Sequence, residues 1–323
     1  MKSIAYVVPY FGKLPSLFPL WLLSCRYNPT VDWLIFTDDK TPFDYPPNVK
    51  VKYCSFDDIR VRIQKCFDFS VSLERPYKLC DFRVAYGDIF KEELSAYDFW
   101  GHCDLDLIWG DIRAFYTDEV LDKYVKIGYQ GHSTLYKNEP SINLLYRRFN
   151  KDGISYRQIF SSDKNFLFDE DIICNLYDDL KIEYFRATVF AQLNRYSYGF
   201  FLQYLPPSED VKNRRQIFTF QKGVLSRLYL EDGIVKQEEY MYIHFFSRPM
   251  KLYLKGLSFD SRYIIVPDKI FEDNDTVIDF KYINKHGKKS ALSYFIRCLI
   301  QRRKRLSLKK IVSFIRNQLK YGA

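Results

Sequence analysis

Residues 97–112 read YDFWGHCDLDLIWGDI. The first half is β-rich and apolar; then Asp104 and Asp106 stand one residue apart where a buried strand should be ending. In open parallel sheets, ligands sit beyond the carboxyl ends of the strands, so carboxylates at such an end point to a site rather than to core. Alternation along an extended chain turns both side chains to the same side, where they can share one hard cation. The same Asp-x-Asp spacing recurs at Asp169/Asp171 and Asp273/Asp275, and taken alone it fits a solvated turn or a helix cap. Only the first pair closely follows an apolar strand.

Upstream, SIAYVV (3–8) is continuously apolar and ends at Pro9, the pattern of a first strand buried on both faces. VDWLIFTDD (31–39) repeats it, VKVKYCSF (49–56) alternates as a third strand, and residues 17–27 between the first two are apolar on a helical period. Strand, helix, strand is the opening of a parallel α/β sheet. Pro76 then begins PYKLCDFRVAYGDIFKEEL, where Leu79, Phe82, Tyr86, Ile89 and Phe90 recur at helical spacing and proline suits the first turn. Residues 128–201 read as loops and short elements. Residues 217–246 read as antiparallel strands with Glu231-Asp232-Gly233 as a hairpin turn. There is no internal repeat and no low-complexity linker.

With 323 residues the chain can bury a large core without crosslinks. Its seven cysteines, at 25, 54, 66, 80, 103, 174 and 298, are scattered and never form C-x-x-C, which argues against zinc sites and a secreted disulfide framework and for reduced core residues in a cytoplasmic protein. Near the N-terminus, Pro9, Gly12, Lys13 and Pro15 interrupt the apolar run, so no signal-peptide core is expected. Nor does any window approach the ~20 apolar residues that span a bilayer. Aromatic residues reach 18%, which suits a dense core and also a protein that handles sugars or stacks a nucleobase.

The net charge of +9 is unevenly placed. Residues 285–323 carry twelve Lys/Arg and no acid, which leaves 37 basic against 40 acidic groups, or −3, on the rest. The expected organisation is therefore a domain over residues 1–284 and a basic amphipathic helical tail over 285–323. Such a tail can lie on an anionic membrane surface, each basic residue adding about 1 kcal/mol, or dock on the domain as an ordinary helix. A nucleic-acid binder is the other class a basic tail suggests. The mildly acidic globule and the lack of helix-turn-helix, zinc or RNP signatures argue against it.

A second cluster stands at YIHFFSRPMKL (242–252), where His244 leaves an apolar strand just ahead of Arg248 and Lys251. Two carboxylates and one imidazole suit manganese, or less comfortably magnesium, with positions open for phosphate; the cations would complete an anion pocket. A histidine satisfied within the core is the plainer alternative.

With these residues in view, the chain resembles nucleotide-sugar glycosyltransferases of the GT-A fold. In motif it is nearest to retaining families eight and thirty-two and to bacterial relatives associated with polysaccharide synthesis. CDLDLIWGDI resembles the Asp-x-Asp that holds the divalent cation, and PYKLCDFRVAYGDIF the preceding helix whose lysine, aspartate or arginine (here Lys78, Asp81 or Arg83) faces the donor. FDEDIICNLY is similar to the family-eight D-Q-D-x-L-N segment, and IHFFSRPMK to the H-F-x-G-x-x-K-P segment. Glu170 stands in place of glutamine, Ser247 in place of glycine, and Lys251 one position late, so Arg248 and Lys251 compete for the diphosphate. Asp81 and Arg83, two apart, do not share a helix face.

The resemblance implies an α/β, Rossmann-like mixed sheet with helices on both faces. It implies Asp104, Asp106 and His244 around Mn2+ or Mg2+, with Asp104 also at the donor. Pro9, Tyr10, Phe11, Thr37 and Asp38 would border the nucleotide, and Asp169, Glu170 and Asp171 the reacting sugar and acceptor. The implied activity is retaining transfer of a hexose from a UDP-sugar to a saccharide or lipid-linked saccharide, at the inner face of the cell membrane. A sugar-phosphate transferase and a catalytically retired sugar-nucleotide binder would use the same cation site.

Overall fold

A computed structural model gives the fold and describes residues 1–193, 202–204, 215–254 and 256–287. The chain forms two compact units: Met1–Phe18, Asn28–Leu105 and Tyr116–Ala187 make the first; Pro19–Tyr27, Asp106–Phe115 and the chain from Thr188 onward make the second. The result is a mixed α/β protein with several sheets. Of the basic tail, residues 288–323 lie outside the described residues.

In the first unit β1 (Ile4–Pro9), β2 (Val31–Thr37), β3 (Val49–Tyr53) and β4 (Phe99–Cys103) are parallel, in the order β3-β2-β1-β4. Ala5, Tyr6 and Val7 of β1 are wholly buried, which is why this central strand reads as an unbroken apolar run. β5 (Leu107–Trp109) leaves for another sheet, after which β6 (Lys126–Gln130) and β7 (Ser133–Lys137) extend the first one antiparallel, β7 beside β4. A short hairpin follows in β8 (Asn150–Lys151) and β9 (Ile154–Ser155). After β3, helix α2 (Phe56–Gln64; α1 is Phe18–Arg26) starts at a capping box in which Ser55 and Asp58 each accept the other's backbone N–H.

The expected helix from Pro76 is broken into short turns: Pro76–Lys78, Leu79–Phe82, Arg83–Ala85, Tyr86–Ile89 and Lys91–Leu94. The backbone leaves helical geometry at Ala85 (φ −105°, ψ 4°) and Phe90 (φ −111°, ψ 27°). A helix with one apolar stripe cannot serve a segment whose Leu79, Phe82, Val84, Tyr86, Ile89 and Phe90 are all buried. Gly87 shows how close the packing is: a Cβ there would fall 2.5 Å from the Trp100 ring.

The second unit holds a four-stranded sheet, ordered β11-β10-β15-β5, of β10 (Phe190–Leu193), β11 (Leu202–Gln203), β15 (Tyr242–His244) and β5. Its six-stranded sheet runs β14-β13-β12-β17-β18-β16. The strands are β12 (Gln216–Gln221), β13 (Val224–Glu231), β14 (Ile234–Glu239), β16 (Lys251–Tyr253), β17 (Tyr263–Val266) and β18 (Lys269–Glu272). The hairpin read at 231–233 forms with Asp232 and Gly233 both at positive φ (49° and 76°), the geometry that lets a two-residue loop follow the strand twist.

All four tryptophans are fully buried, so much of the aromatic surplus is core. No disulfide joins any two of the six described cysteines. No helix among the described residues is long and apolar enough to cross a membrane.

Candidate functional site

Strand pairing sets His244 against Asp106. β15 runs antiparallel to β5 with His244 opposite Leu107, and the Phe245 N–H donates to the Asp106 carbonyl at 2.9 Å. The imidazole Nε2 lies 3.2 Å from Asp106 Oδ1. The other carboxylate oxygen accepts the Ser247 N–H. Phe246 and Ser247 both sit in the left-handed region (φ 51° and 53°), so the position where the resembled families carry glycine keeps a glycine-like backbone. Burial pushes the Asp106 carboxyl up, but the charge and bond of His244 and the Ser247 N–H together hold it below its ordinary value.

Asp104 and Asp106 lie in the bend between β4 and β5, not on a strand, so alternation does not orient them. The pleat expected from the sequence stops at Cys103, and local bonds take over. The Asp104 N–H donates to the His132 carbonyl at 3.0 Å, and its carboxylate pairs with Arg83. Even so, Asp104, Asp106 and His244 each present a ligand atom, all within 4.8 Å of one another. Two opposed oxygen ligands of a magnesium-sized ion stand about 4.2 Å apart, so a contraction of roughly half an ångström would close the set on one divalent cation. A carboxylate–imidazole donor set fits a divalent cation.

Arg83 ties this site to the acidic segment. Its Nη2 is 2.5 Å from Asp104 Oδ1, its Nη1 is 3.0 Å from Asp169 Oδ2, and Nη1 also donates to the Gly131 carbonyl at 2.8 Å. Burial works against the Arg83 charge, but Asp104 and Asp169 more than offset it. Gly131 allows the approach, since a Cβ there would lie 2.7 Å from Asp169 Oδ2. Asp169 Oδ1 is buried without a hydrogen-bond partner among the described residues. Burial pushes the Asp169 carboxyl up to about 7 despite Arg83, and Glu170 and Asp104 add to the rise.

The acids of this segment have different surroundings. The turn Phe168–Ile172 is distorted, with Leu167 at φ 57° and Glu170 at φ −114°, ψ −119°. Asp169 is therefore buried, Glu170 half-buried and Asp171 exposed.

A pH dependence follows from Asp169. A carboxyl raised in the folded state contributes stability that is complete below the unfolded value near 4 and is lost as pH rises through about 7. Asp169→Asn lacks that loss. Relative to wild type, the variant should gain stability between pH 5 and pH 8, by about 2.5 kcal/mol, in urea unfolding at the two pH values. A difference that does not vary with pH would mean that Asp169 stays ionised throughout.

The other anticipated residues fall in two groups. Lys78 and Asp81 form a wholly buried pair at 2.7 Å, with Lys78 Nζ also donating to the Ile159 and Lys164 carbonyls and Asp81 accepting the Phe166 and Phe168 N–H groups. This pair anchors the chain just ahead of Asp169, whereas Arg83 is the residue joined to Asp104. At the ends of β1 and β2, the Tyr10 N–H donates to the Phe36 carbonyl, Phe11 and Thr37 are buried, Pro9 and Tyr10 are half-buried, and exposed Asp38 accepts the Gly12 N–H at 2.7 Å. Arg248 is buried, its Nε donating to the Pro267 carbonyl at 2.9 Å, whereas Lys251 is exposed on β16.

Sequence reasoning missed Gly131 and Gln192. Gly131 carries no local pattern, and Gln192 belongs to a four-residue strand whose value depends on its neighbours. Its Oε1 lies 3.2 Å from His244 Nδ1.

Comparison with solved structures gives a match to mouse xyloside xylosyltransferase 1 in its apo form. The match is at 10% identity and TM-score 0.36, over 60% of this chain and 88% of that one. This overlap is too slight to assign a fold. Comparison with curated proteins gives no match. The model of one family spans residues 6–274, and the chain belongs to it: the family described as "Family of unknown function (DUF6625)".

Proposed function

We propose that the protein is a metal-dependent glycosyltransferase of the GT-A type that transfers a hexose, with retention, from a UDP-sugar to a surface polysaccharide or glycolipid. The observation that carries this reading is the convergence of Asp104, Asp106 and His244, drawn from two distant motifs, to within 4.8 Å. The four motif resemblances give it direction, since they occur in the order and wide separation of the glycosyltransferase segments. Asp104, Asp106 and His244 would hold Mn2+ or Mg2+. When bound, the ion would neutralise charge developing on the departing diphosphate.

The remaining roles belong to the chain. Arg83, half-buried between two carboxylates, holds Asp104 in place and supplies a fixed positive charge beside the site. Lys251 is the exposed candidate for diphosphate, because Arg248 already donates to a backbone carbonyl. The ends of β1 and β2, from Pro9 to Phe11 and at Thr37 and Asp38, would border the nucleotide. Half-buried Glu170 and exposed Asp171 are placed to meet an acceptor, with Asp169 behind them. A thermal-shift panel of nucleotide sugars tests this: UDP-sugars should raise the melting temperature only with Mn2+, and equal shifts with and without metal would refute the metal-dependent reading.

On this reading residues 1–284 are the catalytic domain, and residues 285–323 attach it to the inner face of the membrane, near a lipid-linked acceptor. Removing 285–323 should abolish flotation with anionic liposomes, a loss of several kcal/mol at about 1 kcal/mol per basic residue, and spare activity on a soluble acceptor. Flotation that persists would assign membrane binding elsewhere.

A further inference from the structure

We propose that Gln192, oriented by Gln203, is the positioning residue for His244: it holds the Nδ1 proton and so reserves Nε2 as the nitrogen that can give up its proton to a cation shared with Asp106. This inference rests on the metal-site reading above but concerns a residue outside every motif that led there.

Strand register makes the arrangement. β10 runs parallel to β15 with Gln192 beside His244, and β11 runs antiparallel to β10 with Gln203 beside Gln192. The three side chains therefore lie in one row across three strands, on one face of the sheet. Gln192 and His244 are each 4% exposed, so neither can rely on bulk water for its hydrogen bonds.

The orientation of the two amides sets the direction of the row. The Gln192 amide nitrogen donates to the Gln203 side-chain oxygen. An amide has its nitrogen and oxygen on opposite sides, so the Gln192 oxygen is the atom left facing the ring, 3.2 Å from Nδ1. That oxygen can only accept, so Nδ1 must carry the proton. Nε2, 3.2 Å from Asp106, is then the nitrogen whose proton a cation displaces; without a cation, Nε2–H donates to that carboxylate. A histidine that ligates a metal through one nitrogen commonly holds its other N–H on a carbonyl or carboxylate, which fixes tautomer and ring angle. Here a buried amide, itself braced by a second amide, is in that position.

The test uses the full chain and Mn2+ alone, with no sugar nucleotide. In calorimetry Gln192→Leu, which keeps the bulk and removes the acceptor, should weaken Mn2+ binding by about 10- to 100-fold, and Gln192→Glu, which restores an acceptor, should recover most of it. In a His244→Ala background Gln192→Leu should add no more than about twofold, because a residue that acts only through the ring has nothing left to position. A penalty of the same size with and without His244 would overturn the proposal. So would Gln192→Leu binding Mn2+ as tightly as wild type.

Metal-free 15N spectra of the imidazoles report the Nδ1 proton independently, and with four histidines in the chain the His244→Ala spectrum identifies the signal. Nδ1 should be protonated in wild type and Gln192→Glu, and should lose that signature in Gln192→Leu; an unprotonated Nδ1 in wild type would refute the inference. A wild-type protein that binds no Mn2+ would sink the metal-site reading, while the ring spectra would still decide the role of Gln192.

Discussion

Asp106→Asn should abolish Mn2+ binding and lower turnover of a nucleotide sugar by roughly 10²- to 10³-fold, the range seen when one preorganised electrostatic partner is lost. Asparagine is chosen because its side-chain oxygen can still accept the Ser247 N–H, while the negative charge facing His244 is lost. Asp106→Ala removes both functions. It also leaves the Ser247 N–H, aimed by two left-handed residues, without its acceptor, so the alanine variant mixes a structural loss with the chemical one. Melting of Asp106→Asn within roughly 1.5 °C of wild type, about 1 kcal/mol for a chain of this size, would confirm that the fold is intact. Turnover at the wild-type level would remove this site from consideration. His244→Ala should lower turnover in the same way but only weaken Mn2+ binding, because the two carboxylates of the ligand set remain.

The sequence made this site visible unevenly, for physical reasons. Asp104 and Asp106 could be found because an apolar strand ends beside them, and a change from buried to charged side chains is local information. His244 could be found for the same reason on β15. What brings them together, the antiparallel register of β5 and β15, is not local: nothing near Leu107 states that His244 will lie opposite it. The first sheet was legible as strands at β1 and β2, where burial on both faces leaves a continuous apolar run. It was not legible at β6 and β7, where the antiparallel edge follows residues that read as loop.

The segment from Pro76 to Leu94 shows the limit from the other side. Its periodicity is real, but burial on many sides turns one helix into a series of turns. One of them aims Arg83 at Asp104 and Asp169, while the neighbouring turn sends Lys78 and Asp81 into the interior. Side chains five residues apart thus have opposite fates, decided by tertiary packing rather than by helical pitch.

Arg83→Met should destabilise the protein by about 3–5 kcal/mol, the usual consequence of removing one partner from a buried ion pair. Methionine fills a similar volume but leaves Asp169, 2% exposed, without its cation and with an oxygen that has no hydrogen-bond partner among the described residues. Much of the cost should therefore come from stranded charge rather than lost packing, and two results separate these causes. Adding Asp169→Asn to Arg83→Met should recover a large part of the stability, whereas a packing defect would persist in the double variant.

The deficit should also depend on pH in a set direction. Asp169 already titrates near 7 with Arg83 present, and losing that cation raises it further. A carboxyl raised in the folded state loses its contribution as pH rises, so Arg83→Met should be closest to wild type at pH 5 and furthest from it at pH 8. Arg83→Lys should fall between, because one ammonium keeps the charge but cannot span Asp104 and Asp169 as the planar guanidinium does. Urea midpoints that ranked wild type, lysine and methionine equally at pH 8 would mean that no buried charge stands behind the metal site.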